Sequence, residues 1–132
     1  MALQIPPNCD LTLGLTCVEK RRDATTVWRM RVDERFLNPA GVLQGGFLSA
    51  MMDSAMGASA VMSVADRKVN VANTDIKATF LRAVRPGDVL TCTATVLKPG
   101  TVVAFLGARV FDHEQRLVAT ASSTYLIKER RE

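Results

Sequence analysis

Residues 45–64 set the condition that the rest of the chain must meet. In the run GGFLSAMMDSAMGASAVMSV, Ala and Met abound, Pro is absent, and the length exceeds that of a strand. The segment reads as a helix that is apolar almost all round, so it requires burial. Strand patterns flank it. Leu11, Leu13, Leu15 and Cys17 alternate to one side, and Thr26, Trp28, Met30 and Val32 repeat the pattern after a charged turn at Arg22-Asp23. Residues 36–44 carry Pro39 and Gly41 and read as an irregular loop. Four more strand patterns cover residues 69–81, 89–97, 102–111 and 117–127. The turns between them are Arg85-Pro86-Gly87-Asp88, Lys98-Pro99-Gly100-Thr101 and Asp112-His113-Glu114-Gln115. Two strands, one long helix and four strands predict an α+β chain with an antiparallel sheet wrapped around the helix, since nothing else can cover it. The 132 residues are predicted to form a single domain, 1–132.

Composition narrows the chemistry. The single histidine, His113, leaves no multi-histidine metal site and only one imidazole for a Ser-His-Asp arrangement. Cys9, Cys17 and Cys92 share no close-spaced pair, so neither a disulfide framework nor a zinc site is expected. The net charge of +4 is scattered: Lys20-Arg21-Arg22 lies between Glu19 and Asp23, and Lys128-Glu129-Arg130-Arg131-Glu132 alternates in sign. Such runs read as solvated surface and not as a nucleic-acid footprint, while a mild positive field suits an anionic small substrate. Asp53, serines and a glycine interrupt the apolar stretch from Phe47 to Ala65, so it is not read as a membrane span. No signal-peptide pattern precedes the strands, and a cytoplasmic protein is predicted.

Asp53 is the one charged residue in the apolar helix. A carboxylate there is paired, held at an interface, or tuned for acid–base work. At helical spacing Gly46, Ser49, Ala50, Asp53, Gly57 and Ala60 form a stripe of small residues, which permits close helix packing or a pocket beside the carboxylate. Gly45-Gly46 opens the helix, where backbone N–H groups lack internal partners and glycine lets a ligand oxygen approach. Gly45 and Asp53 are eight residues apart, about 12 Å along a helix axis. Reacting groups sit at contacts of about 3–3.5 Å. Two antiparallel helices can bring the Gly45 end of one beside Asp53 of the other, so joint catalysis by these residues implies a dimer with composite sites.

The order Asn38-Pro39, Gln44-Gly45-Gly46, Asp53-Ser54-Ala55-Met56-Gly57, Thr74-Asp75-Ile76, Phe80-Leu81-Arg82 and Arg85-Pro86-Gly87-Asp88 resembles the hotdog-fold acyl-CoA thioesterases. The resemblance is to their PaaI-like branch and spans about residues 36–125. It implies a six-stranded sheet around a central helix, assembled as dimers or dimers of dimers. It also implies thioester hydrolysis by a helix carboxylate, with no metal and no bound cofactor beyond the CoA of substrate and product. On this resemblance Asp53 is the carboxylate, the Gly45 N–H is the oxyanion donor, and Asn38 helps hold the carbonyl or water. Asn73 stands where relatives often place a Ser or Thr that orients the nucleophile. Asn38 before Pro39 also reads as a plain turn residue.

Family members usually carry His-Gly-Gly, and this chain has Gln44-Gly45-Gly46, with Gln44 and Gly46 read as loop support. The implied CoA contacts are Phe80, Leu81, Arg82, Arg85 and the turn Lys98, Pro99, Gly100, Thr101, whose cations suit phosphate. The expected substrate is a small aryl- or acyl-CoA; a non-catalytic acyl-CoA-binding hotdog protein is the alternative. A hotdog dehydratase fits poorly, because those enzymes usually pair the acidic residue with a His absent here. Met51, Met52, Met56 and Met62 read as core filling or as the lining of an acyl pocket. His113 reads as exposed and idle.

Overall fold

The computed structural model describes residues 4–130; Arg131 and Glu132, the end of the sign-alternating run, lie outside them. The element order is α1 (Asn8–Leu13), β1 (Leu15–Lys20), β2 (Thr26–Arg31), a 3₁₀ turn (Glu34–Phe36), α2 (Gly45–Ser63), β3 (Val69–Phe80), β4 (Val89–Lys98), β5 (Val103–Phe111) and β6 (Leu117–Glu129). The six strands form one antiparallel sheet ordered β1-β2-β4-β5-β6-β3. The chain leaves β2, threads α2 through the concave side, and returns to the far edge as β3. This is the hotdog arrangement.

The first strand begins later than the alternation of Leu11 and Leu13 predicts. Asn8–Leu13 is a short helix instead, opened by Pro7 and ended by Gly14 in the left-handed region (φ 69°), whose N–H donates to the Asp10 and Leu11 carbonyls. Only Leu13 of the supposed leucine face is buried there, whereas Leu11 is exposed. A two-residue alternation is too short to separate strand from helix, and glycine at a helix end decides it.

The sheet covers one side of α2. Leu48, Met51, Met52, Ala55, Met56, Ser59 and Ala60 are buried against it. Met30, Met51, Met52 and Met56 are sealed from water at 0–1% exposure, so three of the four singled-out methionines fill the core, while Met62 is only half-buried. Each fully buried side chain of this size contributes roughly 1.5–3 kcal/mol of transfer free energy. A buried polar contact fixes how the helix sits. Thr26 Oγ1 donates to the Ala55 carbonyl at 3.2 Å, lies 2.9 Å from Ser59 Oγ, and accepts from Trp28 Nε1 at 2.8 Å.

The opposite side of α2 is not buried by its own chain, which corrects the expectation of burial all round. Gly46, Asp53 and Val61 are exposed, and Ala50, Ser54 and Gly57 are half-buried. One sheet cannot enclose a cylinder. The second partly bare surface is β3, an edge strand exposed along most of both faces, with Ile76 and Phe80 uncovered on it and Leu81 uncovered just beyond.

Candidate active site

Asp53 projects from the uncovered face of α2, so it is an exposed carboxylate in the single chain and not the buried one its apolar neighbours suggest. Its Oδ1 accepts from Asn73 Nδ2 at 3.0 Å. The Tyr125 hydroxyl lies 3.5 Å from both the Asp53 carbonyl oxygen and Oδ1. Burial, and after it the Asp53 charge, push the Tyr125 phenol well above its ordinary range, so it remains a neutral hydroxyl. Asp53 Oδ2 makes no hydrogen bond among the described residues, which leaves one oxygen held and one free.

A β-bulge brings Asn73 to the carboxylate. In the pairing of β3 with β6, Asn73 faces Tyr125 and Asp75 faces Thr124, so Thr74 is the extra residue. Its hydroxyl donates to the Thr124 carbonyl at 3.0 Å, and Asp75 Oδ1 accepts from the Thr124 N–H at 2.9 Å. These side chains replace ladder bonds that the bulge breaks. Asn73 Oδ1 accepts from the Asp75 N–H at 3.0 Å and lies 2.8 Å from Ser123 Oγ, which is also 2.6 Å from the Asp75 carbonyl. Sequence reasoning picked out Asp53 and Asn73 but missed Ser123 and Tyr125. Their inward alternation on β6 was the available signal, although it reads equally as core packing.

The Gly45 end of α2 is a separate cluster of the same chain. Gln44 supplies no side-chain cap, and its own side chain is exposed without a hydrogen bond among the described residues; its N–H donates to the Phe36 carbonyl at 2.9 Å. The Phe47 N–H bonds the Gln44 carbonyl at 3.0 Å, whereas the Gly45 and Gly46 N–H groups have no acceptor among the described residues. A Cβ at 45 would come within 2.8 Å of the Phe80 ring, so an alanine there would require that half-exposed ring to shift. Asn38 closes the preceding loop: its Oδ1 accepts from the Ala40 and Val42 N–H groups at 2.9 and 3.3 Å, and its Nδ2 has no acceptor among the described residues.

The remaining candidates fall into two groups that one chain does not bring together. Phe80, Leu81, Arg82 and Arg85 lie near the Gly45 end, where the Leu43 N–H donates to the Val84 carbonyl at 2.8 Å and the Phe80 ring covers Gly45. The turn Lys98, Pro99, Gly100, Thr101 lies beyond the other end of α2, where Arg67 donates to the Gly100 and Thr101 carbonyls at 3.2 and 3.0 Å. The 19 residues of α2 separate these ends by about 28 Å.

Beside Asp53 runs an open groove of about 540 Å³ between α1 and α2, lined by Cys9, Thr12, Leu13, Gly46, Phe47, Ala50, Asp53 and Ser54. Asp53 is the only charged residue among these described ones. His113 is exposed in the β5–β6 turn, 3.6 Å from Glu114. Burial pushes the Cys92 thiol up to about 12, so it is inert as a nucleophile. Among the described residues no three His, Cys, Asp or Glu side chains converge as metal ligands, and no helix is long and apolar enough to cross a membrane.

Residues 40–119 match the family model described as thioesterase superfamily. A provisionally named esterase of Pseudomonas aeruginosa, PA0474, is 33% identical over 90% of this chain and 87% of its own length. Acyl-coenzyme A thioesterase 13 of Mus musculus is 26% identical over 75% of this chain and 69% of its own. The PaaI protein of E. coli, from the phenylacetic acid degradation operon, shares the fold with a TM-score of 0.82 at 23% identity, covering 89% of this chain and 82% of that one.

Proposed function

Since this chain belongs to the thioesterase superfamily, we propose that it hydrolyses acyl-CoA thioesters to a carboxylic acid and CoA, at a site shared by two copies of the chain. The observation that carries this reading is the Asp53 carboxylate, tethered at Oδ1 by Asn73 and free at Oδ2, on the wall of an apolar groove. A water bound to Oδ2 gives its proton to the carboxylate as its oxygen attacks the thioester carbon. The carbonyl becomes an oxyanion, held by the unpaired N–H of Gly45 with Asn38 Nδ2 as a second donor. Collapse breaks the C–S bond. The thiolate leaves and takes up the proton held by Asp53, which restores the carboxylate, and the acid loses its own proton to solvent and leaves as its carboxylate.

Helix geometry supports the second copy. Gly45 and Asp53 are about 12 Å apart on one axis, too far for one carbonyl. An uncovered helix face and an unpaired edge at β3 also favour a partner, because exposed strand edges recruit one. The groove beside Asp53 suits an uncharged acyl group, aryl or aliphatic, since burying a second charge next to the carboxylate is costly. Arg82 and Arg85, beside the oxyanion end, suit the phosphates of CoA.

The test is thiol release over a panel of acyl-CoAs, with thermal shift measured on the same samples. Turnover that Asp53→Asn abolishes supports hydrolysis. Stabilisation by acyl-CoA without thiol release would overturn it in favour of a binding protein.

A further inference from the structure

We infer that Ser123 is a positioning residue that acts on Asp53 through the Asn73 amide; the inference rests on the hydrolytic reading above. An asparagine amide presents an oxygen on one side and a donor on the other, and catalysis at Asp53 needs the donor facing the carboxylate. With the amide reversed, Oδ1 would face the carboxylate oxygen at 3.0 Å, with no hydrogen between two acceptors. Two groups on the far side set the orientation. The Asp75 N–H, 3.0 Å from Oδ1, can only donate, and its direction follows from the bulge at Thr74. The Ser123 hydroxyl, 2.8 Å from Oδ1, is the second.

Ser123 is only 4% exposed and lies fifty residues away in sequence, on the strand paired with β3. Its hydroxyl has one hydrogen and two acceptors in reach, Asn73 Oδ1 and the Asp75 carbonyl at 2.6 Å. Sharing it between them ties both sides of the bulge to one β6 side chain. The Asn73 side chain is exposed and would otherwise move between rotamers, so the buried hydroxyl supplies the fixed point. The chain of contacts is therefore Ser123 to Asn73 to Asp53, with only the last meeting the reacting water and the substrate.

Ser123→Ala removes the hydroxyl with little change in volume. We expect kcat to fall about tenfold, the size of one net hydrogen bond, with KM unchanged because no substrate contact is lost. Ser123→Thr, which keeps the hydroxyl on a strand, restores kcat. Ser122→Ala, on the exposed side of the same strand, leaves kcat unchanged. A readout independent of turnover is the Asn73 side-chain amide signal in NMR, which should move in Ser123→Ala toward the position of an unrestrained amide. A folded Ser123→Ala protein with that signal in place overturns the inference, whether kcat is retained or falls together with Tm. If the wild-type protein releases no thiol from any acyl-CoA, the hydrolytic reading fails, and the amide signal still decides whether Ser123 sets Asn73.

Discussion

Asn73 Nδ2 donates to Asp53 Oδ1 at 3.0 Å, so an edge strand holds a carboxylate carried by the central helix. The bond leaves Oδ2 without a hydrogen bond among the described residues, and Asp53 lines the groove. Asp53→Asn keeps the shape and removes the base, and thiol release should fall at least about a hundredfold. The side chain is exposed, so Tm should stay at the wild-type value. Near-normal turnover by this variant would end the proposed mechanism.

The shared site has its own test. Asn38 belongs to the Gly45 end and Asp53 to the second cluster, so Asn38→Ala and Asp53→Asn chains should complement one another when co-expressed. In a mixed dimer one site collects both defects and the other neither. Random pairing should return about a quarter of wild-type activity, and purified mixed dimers about half. Mixed dimers that stay dead would place both residues on one chain's site.

Gln44 stands where the resemblance to the hotdog thioesterases implies a His, and its side chain makes no hydrogen bond among the described residues. Gln44→Ala should therefore leave Tm unchanged while lowering kcat/KM modestly, and Gln44→His should keep or raise activity. A drop in Tm for Gln44→Ala would show that the side chain holds the loop after all.

Two glycines should respond in opposite ways. A Cβ on Gly100 would overlap the Val103 carbonyl oxygen, whereas one on Gly46 meets nothing within 4 Å. Gly100→Ala should lose about 1–3 kcal/mol, in the range for overpacking. Gly46→Ala should be neutral or gain about 0.4–1 kcal/mol from the stiffer unfolded chain. Urea midpoints of the two variants measure both effects.

Asp112 gives a pH dependence with a definite sign. Burial alone would raise its pKa, but the Arg116 N–H and guanidinium and the Glu114 N–H, all at 2.8–2.9 Å, outweigh it and hold the carboxyl below its usual range. A depressed native value means stability that is complete above the unfolded pKa and lost as pH falls through the folded one. Asp112→Asn should therefore be less stable than wild type at neutral pH, and the gap should close on acidification. Denaturation midpoints that stay parallel across the carboxylate range would refute this.

Much of the arrangement was legible because α2 is long and strongly apolar, and because Pro-Gly turns separate the strands that follow it. The exposure of Asp53 was not, since composition tells how apolar a helix is but not how many of its sides a sheet can reach. Nor was α1, where two leucines at spacing two fit helix and strand alike. The bulge at Thr74 was hidden for another reason. Cross-strand bonds to Ser123 and Thr124, about fifty residues onward, set it, and no local pattern around Asn73 encodes them.

The methionine core has a consequence for ageing of the molecule. Met30, Met51, Met52 and Met56 lie at 0–1% exposure, so peroxide can reach their sulfurs only when the chain opens. A sulfoxide formed during such an opening leaves a polar, bulkier group that no longer fits. Oxidation then turns a transient excursion into a permanent loss, and the rate of damage at Met51 relative to half-buried Met62 becomes a clock for how often α2 leaves its sheet.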